Sequence, residues 1–244
     1  MHKLFLLLCM AALAALSGCF GKSAGETRYY MLDYPPVVSE KMKAAAPYDY
    51  NVRLKEFTIA EAYRRSNLVY RLSQYELLFY NFEVWAVKPE RLVSDVIYRH
   101  IKEANLFKEF SREVGNEEPD FELTGDITAL EEFDDEDDWY AHATITFTLQ
   151  KYRNKEIVWS RRFDYRRPVK QQEPVFVVRE LSVILETMNG EVITSLDSLF
   201  SGFKALPKET KTVKPENSEQ TALDSVILPP PPDFDLPAPE NTGL

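Results

Sequence analysis

Apolar positions change their spacing along the chain, and the changes separate strands from helices. In YNVRLKEF (50–57) Val52 and Leu54 alternate with Arg53 and Lys55, the period of two that marks a half-buried strand. RYYMLDY (28–34) predicts a strand stopped by Pro35 and Pro36, and LVYRLS (68–73) with YELLFYNFEVWA (75–86) predicts a strand pair. The second of that pair is apolar on both sides, with Leu77, Phe79 and Trp85 on one and Leu78, Tyr80, Phe82 and Val84 on the other. A central strand covered on both faces explains this, and so does a surface kept for docking; burial is the expectation. FELTGDITAL (121–130) and YAHATITFTLQKY (140–152) alternate again, and after the turn at 153–156 IVWSRRFDY (157–165) completes three consecutive antiparallel strands.

Two segments switch to a spacing of three and four. From Pro89 to Phe110, Leu92, Val93, Val96, Ile97, Ile101, Ala104 and Phe107 form one stripe, and Pro89 suits a first helical turn. A second helix starts near Pro174, with Val177, Leu181, Ile184, Leu185, Met188, Val192, Leu196 and Leu199 inward. Gly190 interrupts it at a cost of about 1 kcal/mol relative to alanine and marks a place for a bend. The expected class is α+β, a mostly antiparallel sheet with two amphipathic helices packed on one face.

The ends of the chain are different. Met1 to Lys3 are followed by LFLLLCMAALAA (4–15), which carries no charge. That run is too short for the roughly 20 residues a spanning helix needs and has the length of a signal-peptide core. It closes on LSGC (16–19), which resembles the bacterial lipobox, where cleavage before the cysteine is coupled to S-diacylglycerol attachment and N-acylation. Residues 1–18 are therefore the expected signal peptide and 19–27 a linker lipidated at Cys19. An ordinary secretory signal is the plainer alternative. Cys9 would be lost with the leader, so no disulfide is expected. One acyl chain binds a bilayer marginally, whereas two or more hold stably. Phe20 stands where an aspartate would mark inner-membrane retention, which points to the periplasmic face of the outer membrane. Residues 204–244 lose aromatic and periodic content and gain proline, including Pro229 to Pro232; this acidic tail is expected to be disordered, with a reach of roughly 35 Å. One domain, 28–203, remains.

Charge and candidate chemistry narrow the function. The chain carries 29 Lys and Arg; removal of Lys3 with the leader leaves 28 against 39 acids, a net charge of −11. Nucleic acid is then an unsuitable partner, since phosphate contacts need clustered cations. Two histidines survive the leader, His100 beside Arg99 and Lys102 and His142 among threonines, and both read as solvated. No nucleophile elbow, phosphate loop or zinc pair occurs. The acidic run EEFDDEDD (131–138) alternates Asp134, Glu136 and Asp138 as a calcium loop would, but Trp139 replaces the required glycine and Ile145 the closing glutamate. It reads as a charged hairpin tip. No catalytic set, metal or cofactor is expected beyond the acyl and diacylglycerol groups on Cys19.

YYMLDYPP, VRLKEF, AYRRSNLVYRLSQYELLFY and FEVWAVKPERLVSDVIYRHI, followed by FELTGDITALEEF and IVWSRRFDYRRPV, resemble the ABC-type transport auxiliary lipoprotein family, which includes the third component of paraquat-inducible intermembrane transport operons. The proline tail and the long acidic run depart from that pattern. The resemblance implies a non-enzymatic accessory lipoprotein of a lipid transporter, built from an ABC permease and ATPase and an MCE-domain protein, which it docks or receives at the outer membrane. A lipid ligand and a homo-oligomer are compatible with that role. Tyr63, Arg65, Arg71, Tyr80 and Trp85 are the candidate partner-binding residues, because aromatic and arginine side chains dominate interface energetics. A cell-envelope hydrolase and a lipoprotein of an outer-membrane assembly or secretion complex are the competing readings.

Overall fold

The computed structural model describes residues 25–35, 48–115, 117–135 and 138–204. The leader, Cys19 and the proline tail lie outside them. In chain order the elements are β1 (Arg28–Tyr30), β2 (Tyr48–Leu54), β3 (Thr58–Ile59), a 3₁₀ turn (Glu61–Tyr63), β4 (Asn67–Arg71), β5 (Leu77–Trp85), α1 (Pro89–Glu103), β6 (Phe107–Ser111), β7 (Phe121–Asp135), β8 (Asp138–Lys151), β9 (Ile157–Val169) and α2 (Pro174–Lys204).

The expected α+β class is what the chain adopts. The antiparallel meander β7, β8, β9 is continuous, with β8 paired to β7 from Phe121↔Lys151 to Asp135↔Asp138. The mixed character comes from the other edge of β7, where three short strands line up in parallel: β2 beside 121–123, β3 beside 126–127 and β4 beside 132–133. Parallel pairing needs a crossover, and the apolar pattern of each short strand does not reveal it. β2 also pairs with β6, β4 with β5 and β5 with β1, so the path ends at β1 on one side and β6 on the other.

Both helical stripes are buried as the spacing predicts, and α2 continues through Gly190. It packs on β8 and β9. Near its end the fully buried Phe200 ring meets Tyr50, Phe107, Phe121 and Phe203 at centroid distances of 5.3, 4.9, 5.1 and 5.4 Å. α1 begins on Pro89, and Ser94 joins it to the strand layer: its Oγ donates to the Glu90 carbonyl (2.7 Å) and accepts the Phe57 N–H (2.9 Å).

Three expectations need correction. The first helix ends at Glu103, because Asn105 takes a left-handed conformation (φ 52°) that asparagine tolerates, and Phe107 and Phe110 then face the core from β6. Their three-residue spacing imitates one more helical turn. β5 is next to the sheet edge, with Phe79 37% and Phe82 41% exposed, so the doubly apolar strand is not central. Both histidines are buried, His100 against the Tyr34 ring at 4.0 Å.

Gly125 lies in β7 beneath Phe57, where an added Cβ would sit 2.3 Å from the ring. Gly125→Ala is expected to destabilise the domain by about 1–3 kcal/mol in urea unfolding. Combining it with Phe57→Ala should cost less than the sum of the two single changes, since the clash is then absent.

Candidate functional site

The candidate site grows from an irregularity in β7. Ile127 pairs with Ile145 and Ala129 with Thr144, so Thr128 is an extra residue, a β-bulge. Up to Ile127 the odd positions share the face of Ile145 and Phe147; beyond the bulge Leu130 and Glu132 take that face, opposite Ala143 and Ala141. Glu131 turns to the other face, opposite His142. Two adjacent carboxylates of the acidic run are thus buried on opposite sides of the sheet. The expectation of a solvated hairpin tip fails for Glu131 and Glu132, because both belong to the paired body of β7; Glu136 and Asp137 lie outside the described residues.

On Glu131's side a chain of polar contacts runs across five elements. Tyr63 Oη donates to Glu131 Oε2 (2.6 Å), and Arg71 donates through Nε to the same oxygen (2.9 Å) and through Nη2 to Tyr63 Oη (2.7 Å). His142 places Nδ1 2.9 Å from Glu131 Oε1 and Nε2 3.1 Å from Asp164 Oδ1. A neutral imidazole has one N–H and could donate to only one of these carboxylates. Burial alone would raise the Glu131 carboxyl, but hydrogen bonds from His142, Tyr63 and Arg71 outweigh it and hold it below the usual carboxylate range. Burial, with the Glu131 hydrogen bond and charge, pushes the Tyr63 phenol up to about 12.

The opposite face behaves differently. Tyr80 Oη lies 2.9 and 3.0 Å from the two Glu132 oxygens, and the Tyr70 ring meets Tyr80 at a tilt, with centroids 4.8 Å apart. Among the described residues no cation offsets the burial here. Burial pushes the Glu132 carboxyl up to about 8; the Tyr80 hydrogen bond lowers it, and the charge of nearby Asp134 raises it further.

Of the five residues the sequence proposes for partner contact, Tyr63 and Arg71 are bound into the Glu131 network and Tyr80 to Glu132. Trp85 is core, and Arg65 alone stands on the surface, its guanidinium 3.5 Å above the Phe79 ring and its Nε donating to the Ala62 carbonyl. The sequence reading missed Glu131, Glu132, His142 and Asp164. A run of acids masks the two that are buried, and no periodicity signals a bulge at Thr128.

Two grooves open elsewhere. One, of about 490 Å³, lies between β9 and α2 and is lined by Arg161, Glu191, Thr194 and Ser195. The other, of about 400 Å³, is lined by Lys55, Thr58, Asp126, Thr146 and Thr148. Among the described residues no group of three or more His, Cys, Asp or Glu is arranged to hold a metal ion. No helix among them is long and apolar enough to cross a membrane, which says nothing of strands.

Because the folded Glu132 carboxyl is raised, its protonated form stabilises the fold fully below about pH 4, and that contribution is lost as the pH climbs toward about 8. Glu132→Gln keeps an acceptor for Tyr80 and is expected to unfold at higher urea concentration than wild type at pH 8, by on the order of 1–3 kcal/mol, with the difference shrinking toward pH 5. Glu131 has the opposite sign: its depressed value makes its stability present above the unfolded carboxylate value and lost in acid. Arg71→Met removes one partner of that buried carboxylate and should cost on the order of 3 kcal/mol at pH 7 in the same measurement, less at pH 4.

The family described as ABC-type transport auxiliary lipoprotein component matches residues 30–192. No curated protein matches the chain at a significant level. Among solved structures, a Xanthomonas campestris protein assigned to the family DUF330 shares 15% identity at a TM-score of 0.64, covering 73% of this chain and all of that one. An uncharacterized protein shares 11% identity at 0.56, covering 70% of this chain and 99% of its own. At these identities the likeness shows the fold, while the matched span of more than half the sequence shows the family. The chain belongs to the ABC-type transport auxiliary lipoprotein family.

Proposed function

We propose that this protein is a non-catalytic accessory subunit of an ABC/MCE-type intermembrane lipid transport system, held by acyl chains on Cys19 at the periplasmic face of the outer membrane, where it docks the MCE component. The observation that carries the reading is the family match across residues 30–192. The arrangement of side chains supports it: the polar groups that could have served catalysis, Tyr63, Arg71, Glu131 and His142, bond one another inside the sheet and hold the 3₁₀ turn against β4 and β7.

The docking surface follows from which aromatics are free. Tyr75, 89% exposed at the turn between β4 and β5, projects with Leu72 beyond the sheet, and Arg65 over Phe79 continues that surface toward the 3₁₀ turn. Aromatic and arginine anchors of this kind carry most of the energy of an interface. Trp85, the last residue of β5, points into the core and serves by packing.

Cys19→Ser is expected to move the protein from the membrane fraction to the soluble periplasm, and retention in the membrane fraction would refute the anchor. A photocrosslinker at Tyr75 should give an adduct with the MCE protein, while the same group at exposed Ile157 on β9 should not. Adducts from neither position, or equally from both, would refute docking through the β4–β5 turn.

A further inference from the structure

A second set of exposed aromatics lies at the other end of β5. Tyr29 pairs with Val84 and therefore shares its face; Tyr29 is 70% exposed and Met31, two residues on, is 55% exposed. Phe82 lies where the β4–β5 register shifts, and its ring rests against Gly25, close enough that a Cβ there would stand 3.0 Å from it. Tyr29, Met31 and Phe82 thus gather at β1, which ends the path of paired strands. From Leu77 to Trp85 a strand advances roughly 26 Å, which separates this cluster from the Tyr75 turn.

What covers the cluster is set by the length of chain before it. Five residues lie between Cys19 and Gly25, so six steps of about 3.3–3.6 Å keep the backbone of the acylated residue within about 22 Å of Gly25, against which the Phe82 ring rests. A tether that short cannot let this end of the sheet turn away from the bilayer while the acyl chains are inserted. The headgroup region is where aromatic rings settle, with an apolar body on the acyl side and a polar edge in water.

We propose that Tyr29, Met31 and Phe82 form a membrane-contact surface seated in the phospholipid headgroup interface beside the Cys19 anchor, so that the domain stands in one orientation with the Tyr75 turn directed away from the bilayer. This rests on the Cys19 anchor and goes beyond it by fixing which face meets lipid. The occupant is the anchor's own leaflet of phospholipid. The edge of β1 that no described strand pairs is then covered by headgroups, which keeps it from pairing with another chain.

The test uses the lipidated full-length protein in phosphatidylethanolamine and phosphatidylglycerol vesicles. With Cys19 acylated and Cys9 removed, single cysteines at Tyr29→Cys, Met31→Cys and Ile157→Cys can each carry an environment-sensitive fluorophore. Ile157 pairs with Gln150, which pairs with Glu122, at the end of β7 opposite the β4 contact at Glu132. Nitroxide lipids should quench the labels at positions 29 and 31 about twofold or more relative to position 157, and these labels should be blue-shifted. Substituting Phe82→Ser in the same labelled proteins should reduce that quenching. Floated protein whose three labels are quenched alike overturns the proposal and leaves the anchor standing. Labels at 29 and 31 that are blue-shifted but unquenched by lipid would show a protein occupant, such as a second copy, and also overturn it. Wild-type protein that takes up label or fails to float overturns the anchor, and this proposal with it.

Discussion

The fold depends on β7 being paired along nearly its whole length on one edge and at three separate places along the other. One edge is satisfied by β8 in a single antiparallel ladder, and the other is divided among β2, β3 and β4, which pair with only three, two and two of its residues. Each backbone polar group left unpaired in such a buried strand would cost free energy comparable to a lost hydrogen bond, so the three short strands are fixed in register by what β7 requires. The helices then complete the layer, α2 across β8 and β9 and α1 against α2.

The Thr128 bulge converts that backbone constraint into chemistry. By shifting the parity of β7 it gives Glu131 to the face with three donors and Glu132 to the face with one phenol, and neighbouring carboxylates acquire opposite pH dependences. The Glu131 network is a clamp across the 3₁₀ turn, β4, β7 and β8, and β9 joins through Asp164. Buried ion pairs of this kind add little net stability over an apolar core, since desolvation offsets attraction, but they strongly disfavour any register that would leave one charge unpaired. Through Arg71 the clamp ties the end of β4, where the β4–β5 hairpin turns, to β7. That hairpin connects the two exposed aromatic regions, the Tyr75 turn and the Tyr29 cluster.

On the proposed reading the anchor and the contact surface need a fixed separation, and the β4–β5 strand pair supplies one. Family membership is established over residues 30–192; within the domain Tyr63, Arg71, Glu131 and His142 bond one another, while Tyr29, Tyr75 and Phe82 are left exposed.

Periodicity alone determined both helical stripes, the three-strand meander and the α+β class, because these features are local: side chains at spacings of two or of three and four must fall on one face whatever the rest of the chain does. The charge-free run 4–15 and the LSGC motif are linear signals that lie outside the described residues, and the leader and anchor they imply belong to the proposal. Tertiary structure decided what no spacing encodes. It placed β5 near the edge although its composition suits a centre, ended α1 at a left-handed Asn105 before two phenylalanines that fit one more helical turn, and buried His142 between Glu131 and Asp164. It also enclosed Tyr63, Arg71 and Trp85 while leaving Arg65 outside. The reason is common to all of these: burial and partnership depend on which strand lies alongside, and that is fixed by long-range pairing along β7.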